Sequence, residues 1–432
     1  MLGAFANAFR TPDLRKKLLF VLLIIAIFRL GSQIPTPGVN VANVQDCFDQ
    51  ASKEGGIYNL INLFSGGALL QLTIFALGIM PYITASIILQ LLVVVIPRLE
   101  ALKKEGQAGQ SKITQYTRYL TLALAILQAT GIVALARSGN LLQNCDKQLV
   151  YDQEISTAVI MVITMTAGTA VIMWLGELIT DRGIGNGMSI LIFTQVVARF
   201  PAELWQLRIA KGWFLFASVI VVGFAIIAAV IFIEQAQRRI PVQYARRMVG
   251  RKMFGGSSTY IPLKVNQAGV IPVIFASSLL YLPAMIVQFN QNNDSPIVKW
   301  IATYFVRGDH PLYMIAYFLL IVFFTYFYVA ITFNPEEVAD NMKKYGGFIP
   351  GIRAGKPTEE YLQYVLSRIT LPGALYLGTI ALIPLIALAL VNATQNFPFG
   401  GTSLLIMVGV ALDTVKQIES QLQQRNYEGF LR

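Results

Sequence analysis

A stretch without any charged side chain, residues 60–97, limits the folds open to this chain more than any other feature. One crossing of a bilayer needs about 20 apolar residues. The stretch is nearly twice that length, and it contains Gly66-Gly67 and Pro81. It therefore indicates a membrane segment that is broken instead of one continuous span.

Apolar windows of spanning length recur along the whole chain. Hydrophobic residues make up 55% of the sequence and charged residues only 13%, which excludes an ordinary soluble globular protein. We place ten windows, at residues 18–34, 73–97, 119–136, 156–179, 184–197, 213–233, 268–287, 312–332, 371–391 and 402–412. The sequence therefore predicts an all-α membrane protein with ten transmembrane helices and no separate soluble domain.

The distribution of Lys and Arg predicts the orientation of these spans. With the N-terminus inside, the inside segments hold 25 of the 34 Lys and Arg residues, and the outside loops hold 8. Such a bias over mostly short loops places both termini in the cytoplasm. The only two cysteines, Cys47 and Cys145, then fall in the first and second outside loops. A disulfide on this oxidising side and two free thiols are both open.

Short repeats relate the two halves of the chain. "GIMPYITAS" (78–86) and "GVIPVIFAS" (269–277) share Gly-x-x-Pro-x-Ile-x-Ala-Ser, and "GMSILI" (187–192) and "GTSLLI" (401–406) share Gly-x-Ser-x-Leu-Ile. They pair span two with seven and span five with ten, which predicts two inverted five-helix halves around a central pore. The alternative is that Gly and Pro are simply common in membrane helices.

These repeats divide the chain into an N-terminal half, residues 1–200, and a C-terminal half, residues 201–432. Aligned on the repeat, the side chains that face the pathway are Ile79, Ile83, Met188, Ile192, Ile274 and Ile406. A ring of apolar side chains binds no ion, yet it can close a pore by dewetting. The alternative is that these are ordinary helix-packing residues.

Residues that could carry chemistry are scarce. The only histidine, His310, lies in an outside loop, and no phosphate-binding loop is present, so we expect neither an enzyme nor a bound cofactor or metal. An ion-coupled secondary transporter would need ionisable groups at the membrane midplane, which the repeat-bearing spans lack. An intramembrane enzyme would need a base that the sequence does not supply.

Two long inside loops, about 234–264 and 334–368, offer docking surfaces. The first contains "RRIPVQYARRMVGRK" and then "FGGSSTYIPLK", which indicates a Gly/Ser turn between two extended runs. Basic clusters of this kind suit anionic lipid, RNA or an acidic protein face. The general excess of Lys and Arg in inside loops explains the positive charge of these two loops but not their length.

Long motifs along nearly the whole chain resemble the SecY family, the pore-forming subunits of the bacterial Sec protein translocase. They include "NLFSGGAL", "FALGIMPYITASIILQLL", "KKEGQAGQSKITQYTRY", "MWLGELITDRGIGNGMSI", "QRRIPVQYARR", "PLKVNQAGVIPVIFASS" and "FNPEEVADNMKKYGGFIPGIRAG". The resemblance implies a protein-conducting channel for secretion and for lateral insertion of membrane proteins. It also implies a plug at residues 57–71, whose centre is Phe64, Ser65, Gly66 and Gly67, and a constriction at the six ring residues.

The resemblance further implies a lateral gate between spans two–three and seven–eight, and a location in the bacterial cytoplasmic membrane. The implied partners are the small membrane subunits SecE and SecG, the SecA ATPase, the ribosome with its ribosomal RNA, signal peptides, nascent chains and anionic lipid. Matched by position, the residues that dock SecA or the ribosome are Arg246, Arg247, Arg251, Lys252 and Arg353.

Overall fold

The chain is seen in a computed structural model, which describes residues 11–51, 68, 71–137, 148–152, 154–244, 247–249, 252–254, 258–289, 295–306, 310–391 and 401–428. The helices are α1 (Pro12–Gly31), α2 (Val41–Ala51), α3 (Met80–Val95), α4 (Pro97–Lys104), α5 (Gln107–Arg137), α6 (Ile155–Arg182), α7 (Gly187–Gln235), α8 (Ile271–Phe289), α9 (Pro296–Ile301), α10 (Pro311–Thr332), α11 (Pro335–Lys344), α12 (Lys356–Val391) and α13 (Gly401–Glu428), with a π-helical turn at Ala302–Val306. Each of the ten predicted windows contains one of these helices or part of one.

Five helical segments of the described part are long and apolar enough to cross a membrane. They are Gln107–Arg137, Ile155–Arg182, Gly212–Gln235, Pro311–Lys344 and Lys356–Ile383. The pair α3–α4 makes a sixth if it is counted as one span, although it bends by 99°. The all-α membrane class is therefore confirmed, with five or six spans by length and composition.

The uncharged stretch 60–97 is broken, as predicted. Residues 71–79 form successive turns, and α3 begins only at Met80. Pro81 lies in the first turn of α3, where a missing backbone N–H costs no helical hydrogen bond. The other predicted break, Gly66-Gly67, lies outside the described residues.

The internal repeat has the same local structure in both copies. α3 and α8 each begin two residues after a glycine with positive φ, Gly78 at +56° and Gly269 at +63°. Glycine suits this backbone conformation because it has no Cβ. α7 and α13 begin at the repeated glycines Gly187 and Gly401. The inverted orientation of the two halves stays a prediction.

The outside loop expected between the fifth and sixth windows is helical instead, because α7 runs from Gly187 to Gln235. Gly212, with φ of 82°, is the position where the backbone leaves helical geometry. The guanidinium carbon of Arg208 lies 4.5 Å and 4.1 Å from the ring centroids of Trp205 and Trp213. Cation–π contacts of this kind stabilise Arg208, which is half-buried, within the helix.

A small sheet forms in the two long loops, in addition to the predicted helices. Its strands are β1 (Gln237–Tyr244), β4 (Ser258–Lys264) and β5 (Gly347–Phe348), in the order β4-β1-β5, and all neighbours are antiparallel. A second antiparallel pair joins β2 (Arg247–Val249) to β3 (Lys252–Phe254). The β2–β3 pairing continues the register of the β1–β4 pairing, since the two residue numbers of each pair add to the same value in both. β1 and β2 therefore form one arm of a single hairpin, and β3 and β4 form the other.

The predicted position of the turn in this hairpin is wrong. β2 already pairs with β3 through Val249 and Lys252, so the Gly/Ser segment follows the first strand of the returning arm and does not separate the two arms. The register is set by burial. Ile240 and Val242 of β1 and Leu263 of β4 all face one hydrophobic core, and a slip by one residue would expose them.

Buried apolar side chains form three main clusters. The central cluster joins α1, α3, α6, α7, α8, α10, α12 and α13, and its members include Ile172, Ile192, Val273, Ile321, Leu377 and Ile406. The α5–α6 cluster includes Val44, Leu72, Ala129, Leu149 and Met161. The sheet cluster joins β1 and β4 to α11 and the start of α12, and includes Ile240, Val242, Leu263, Met342, Ile349 and Leu362.

Candidate constriction and docking surface

All six residues predicted for the apolar ring belong to the central cluster. Four of them are buried and two are half-buried against the others. They are Ile79, Ile83, Met188, Ile192, Ile274 and Ile406. These residues lie at or next to the starts of α3, α7, α8 and α13, which are the four helices that carry the repeat. Four distant segments thus contribute to one apolar region, and its role as the ring of a pore stays a prediction.

Two glycines hold the start of α7 tightly against α6. A Cβ on Gly187 would lie 1.8 Å from the carbonyl oxygen of Gly176, and a Cβ on Gly176 would lie 2.5 Å from the Sδ of Met188. The Gly187 N–H donates to the Thr180 hydroxyl at 2.9 Å, and the Asn186 side chain accepts from the Met188 N–H at 3.1 Å. These contacts fix Met188 over α6, a dependence on Gly176 that sequence reasoning missed.

Charged side chains near this region lie at the ends of the apolar windows and not in their middles. The Nε and Nη2 of Arg118 donate to the two carboxylate oxygens of Glu177, each at 2.8 Å, and so join α5 to α6. Glu234, next to the last residue of α7, is the only acidic or basic side chain that is buried in the part of the chain the structure describes. A coupling-ion site would need such groups in the middle of a span.

The second and seventh predicted spans are neighbours, because α3 and α8 are in contact. α8 also packs on α10, where the ring of Phe275 meets the rings of Phe324 and Tyr328 edge-on at centroid distances of 5.6 Å and 6.3 Å. A lateral gate between spans two–three and seven–eight requires this adjacency. The gate itself stays a prediction.

The centre of the predicted plug, Phe64 to Gly67, lies outside the described residues. The chain that leads from it into α3 is held in place by two backbone hydrogen bonds of 3.0 Å, from Thr36 N–H to the Leu72 carbonyl and from Ile74 N–H to the Ile34 carbonyl. Leu72 is fully buried and has a φ of +46°, and no other non-glycine residue of the described part has a positive φ. The residues just before α3 are thus anchored to the segment that follows α1, and the plug itself stays a prediction.

The predicted docking residues fall into two places. Arg246 and Arg251 lie outside the described residues, whereas Arg247 lies in β2 and Lys252 in β3, near the tip of the hairpin. Arg353 lies between β5 and α12 and is exposed. The sheet brings these places together on one element, because β5 pairs with β1 of the same hairpin.

The turn that carries Arg353 is rigid. Gly351 and Gly355 flank it with φ of +87° and +108°, and the Thr358 hydroxyl donates to the Arg353 carbonyl at 2.8 Å. Ile352 packs against the sheet cluster. The Arg353 side chain is therefore presented to solvent on a fixed backbone, as a docking contact requires.

The segment between α1 and α2 is tied to residues 148–152, which precede α6. The Asn40 N–H donates to the Leu149 carbonyl at 2.9 Å, and the Tyr151 N–H donates to the Gly38 carbonyl at 3.0 Å. Cys47 is fully buried in the same α5–α6 cluster and is disulfide-bonded. Its proposed partner Cys145 lies outside the described residues, so the Cys47–Cys145 pairing stays a prediction.

The only histidine has a structural position. His310 Nδ1 accepts from the Leu312 N–H at 3.1 Å and so caps α10, and its ring contacts Tyr304 edge-on at 4.8 Å. Among the described residues, no group of three or more His, Cys, Asp and Glu side chains could hold a metal ion.

Apolar residues that meet at four repeated helix starts, among helices long and apolar enough to cross a membrane, fit a membrane channel and not an enzyme. The sequence model of the SecY family matches residues 73–415. Protein translocase subunit SecY of Streptomyces galbus is 70% identical over 438 residues, which cover 100% of both chains. The SecY of Mycobacterium tuberculosis is 61% identical over 441 residues, again with 100% of both chains covered. The chain belongs to the SecY family.

Solved structures agree on the fold. A SecY structure, described by its plug domain that stabilises the closed channel and maintains a membrane seal, aligns with a TM-score of 0.62 at 19% identity. Sec61 in a canine ribosome-channel complex aligns with a TM-score of 0.61 at 18% identity. Both alignments cover 94% of this chain and 91% of the other.

Proposed function

We propose that this chain forms the pore through which unfolded polypeptides cross the membrane, and from which membrane segments leave sideways into lipid. The observation that carries this proposal is the meeting of six repeat residues in one apolar cluster at four helix starts. A narrow apolar waist excludes water and ions when the channel is at rest. It also lets a chain slide through, because it offers polar side chains nothing to bind.

An ion-coupled transporter receives no support. The only buried acidic or basic side chain among the described residues, Glu234, lies at the end of α7 and not at the level of the ring. Full-length relatives at 70% and 61% identity carry the name protein translocase subunit.

We place the channel in the bacterial cytoplasmic membrane with both termini inside, since Lys and Arg are concentrated in the inside loops. The two halves, residues 1–200 and 201–432, surround the pathway. The proposed partners are SecE and SecG within the membrane, and SecA or a translating ribosome on the hairpin and the Arg353 turn. A structural neighbour that is a ribosome-channel complex supports the ribosome among these partners. Signal peptides and nascent chains are the substrates, and anionic lipid suits the basic inside surface.

Residues 57–71 act as the plug in this proposal. The likeness to a SecY whose plug domain maintains a membrane seal supports this role. An uncharged segment can rest against an apolar ring without stranding a charge. Deleting part of it leaves the ring in place, so we expect a smaller leak than from a polar ring.

The test is the resting ion conductance of the reconstituted channel, without SecA or ribosome. Replacing Ile83 and Ile274 with Asn should wet the waist and raise conductance about tenfold, which corresponds to a shift of about 1.4 kcal/mol between closed and open states. Ile192 and Ile190 provide a matched pair, since both are 6% exposed, both lie in α7 and both belong to the central cluster. Ile192→Ser should leak, and Ile190→Ser should not. Equal behaviour of this pair would contradict the assigned ring.

A further inference from the structure

A buried polar pair lies where the cytoplasmic hairpin joins the membrane helices. Glu234 is 8% exposed and Asn266 is 3% exposed. The Asn266 side-chain amide donates one hydrogen bond to the Glu234 carboxylate and another, of 3.1 Å, to the carbonyl of Gly269. A single side chain thus bridges the end of α7 and the turn that begins α8.

The pair sits at the base of the hairpin. Glu234 precedes β1 by three residues, and Asn266 follows the last residue of β4 by two. The base is closed by a backbone hydrogen bond of 3.0 Å from the Val265 N–H to the Ala236 carbonyl. Any movement of the hairpin relative to α8 must therefore pass through this pair and its neighbouring backbone.

α12 holds this base from the other side. A Cβ on Gly373 would lie 2.4 Å from the Val265 carbonyl oxygen and 3.7 Å from the Cα of Asn266, so only a glycine allows the helix to approach so closely. The Tyr376 hydroxyl, one turn further along α12, reaches the Val230 carbonyl of α7 at 3.5 Å. The base of the hairpin is packed on rigid elements and has little freedom to adjust.

Stability alone does not explain a buried carboxylate at this place. Moving a charge out of water is unfavourable, and a well-packed apolar pair often serves folding as well or better. Lys264 and Lys416 are near enough to attract the Glu234 carboxylate, whereas Asp413 repels it. The Lys264 Nζ also lies 3.6 Å from the Asp413 Oδ1. The Asn266 Oδ1 is buried without a hydrogen-bond partner. A directional amide–carboxylate contact fixes geometry in a way that apolar packing does not.

We propose that Asn266 and Glu234 are positioning residues that transmit movement of the cytoplasmic hairpin to the constriction. Asn266 holds the Gly269 carbonyl immediately before α8, and Ile274 of the ring lies in the first turn of that helix. A partner that pulls or tilts the hairpin therefore shifts Ile274 relative to the other ring residues. This inference rests on the proposed function, because it assigns a purpose to the link between the docking surface and the ring.

The experiment exchanges the two groups. Asn266→Asp removes the N–H that holds the Gly269 carbonyl and should lower SecA-driven translocation of an unfolded precursor about tenfold, while SecA binding and resting conductance stay unchanged. Combining Asn266→Asp with Glu234→Gln rebuilds an amide–carboxylate contact between the two side chains but not the hydrogen bond to the Gly269 carbonyl, because a carboxylate has no N–H to donate, so translocation should stay low. Glu234→Gln alone keeps an acceptor for the Asn266 amide and should work nearly as well as the parent.

Gln267→Ala is the matched control, because Gln267 accepts from the Lys264 N–H at 3.2 Å in the same joint but does not touch the pair. The inference is overturned if the folded double variant translocates like the parent, if Glu234→Gln alone abolishes translocation, or if Asn266→Asp weakens SecA binding to the same degree. Failure of the parent channel to translocate at all would instead contradict the proposed function. The measurements use the complete channel with its small membrane subunits in proteoliposomes.

Discussion

The proposed ring and the Arg353 turn differ in how their side chains relate to the nearest hydrophobic cluster. Ile192 and Ile406 lie inside the central cluster, whereas Arg353 is exposed and only its neighbour Ile352 enters the sheet cluster. A substitution in the ring therefore changes packing and function together. A substitution on the turn can change function while packing stays intact. Variants of the two regions must accordingly be read against different controls.

The largest expected effect comes from a small change behind the ring. Gly176→Ala places a methyl group 2.5 Å from the present position of the Met188 Sδ, so the thioether must move. Overpacking of this kind costs about 1–3 kcal/mol. We expect a lower thermal midpoint of the purified protein and a changed resting conductance.

Met188→Ala removes the clashing atoms and provides the control for this change. Adding Gly176→Ala to that variant should then cost little, so a double-mutant cycle should show strong coupling between the two positions. Additive losses would mean that Gly176 supports α7 and not Met188.

The turn should show the opposite behaviour. Arg353→Glu should reduce translocation about tenfold by replacing attraction to an acidic partner with repulsion, which corresponds to about 1.4 kcal/mol. Thermal unfolding and insertion into the membrane should be unchanged, because an exposed side chain holds little packing energy. Lys356→Glu, an equal charge change on a nearby exposed residue, is the control. Equal loss in both variants would point to net charge and would contradict specific docking by Arg353.

A smaller effect is expected at the Arg118–Glu177 ion pair, which belongs to neither region. Its geometry is bidentate, but the Arg118 side chain is 47% exposed and is partly screened by solvent. Arg118→Gln should lower the free energy of unfolding by about 1 kcal/mol at most, with less difference at high salt. Resting conductance should not change. A leak in this variant would show that the ring depends on the packing between α5 and α6 as well.

The smallest effect on transport is expected from the proposed disulfide. Mass spectrometry under non-reducing conditions should find no alkylatable thiol at Cys47 or Cys145. Reduction should leave the resting conductance as it is, because Cys47 packs in the α5–α6 cluster and not in the central one. Two thiols that react without a reductant would contradict the pairing.

The sequence predicts the helices well, because they depend on patterns within a short segment. The repeat places Ile79, Ile274 and the other ring positions at equivalent helix starts, and glycine before α3 and α8 explains where those helices begin. The sequence predicts poorly what depends on contacts between distant segments. The register of β1 with β4 follows from burial of Ile240 and Leu263 on one core, which no local Gly/Ser signal reports.

The base of the hairpin and the packing of Met188 on Gly176 are further examples of contacts between distant segments. Glu234 and Asn266 are separated by the whole hairpin, and the need for glycine at position 176 arises only from the approach of α7. A lone carboxylate at the end of an apolar run was visible in the sequence, but its partner was not. Such contacts are energetically important at a few positions and leave no periodic trace.

The link between the first two outside loops sets an order of events during synthesis. Gly38 and Asn40 bind residues 151 and 149, which are made more than a hundred residues later. Since the chain is produced from its N-terminus, α2 must wait with Val44 and Cys47 uncovered until α5 has crossed the membrane and its following loop has arrived. During synthesis the chain therefore passes through a stage in which α2 lacks the partners that cover it in the finished fold.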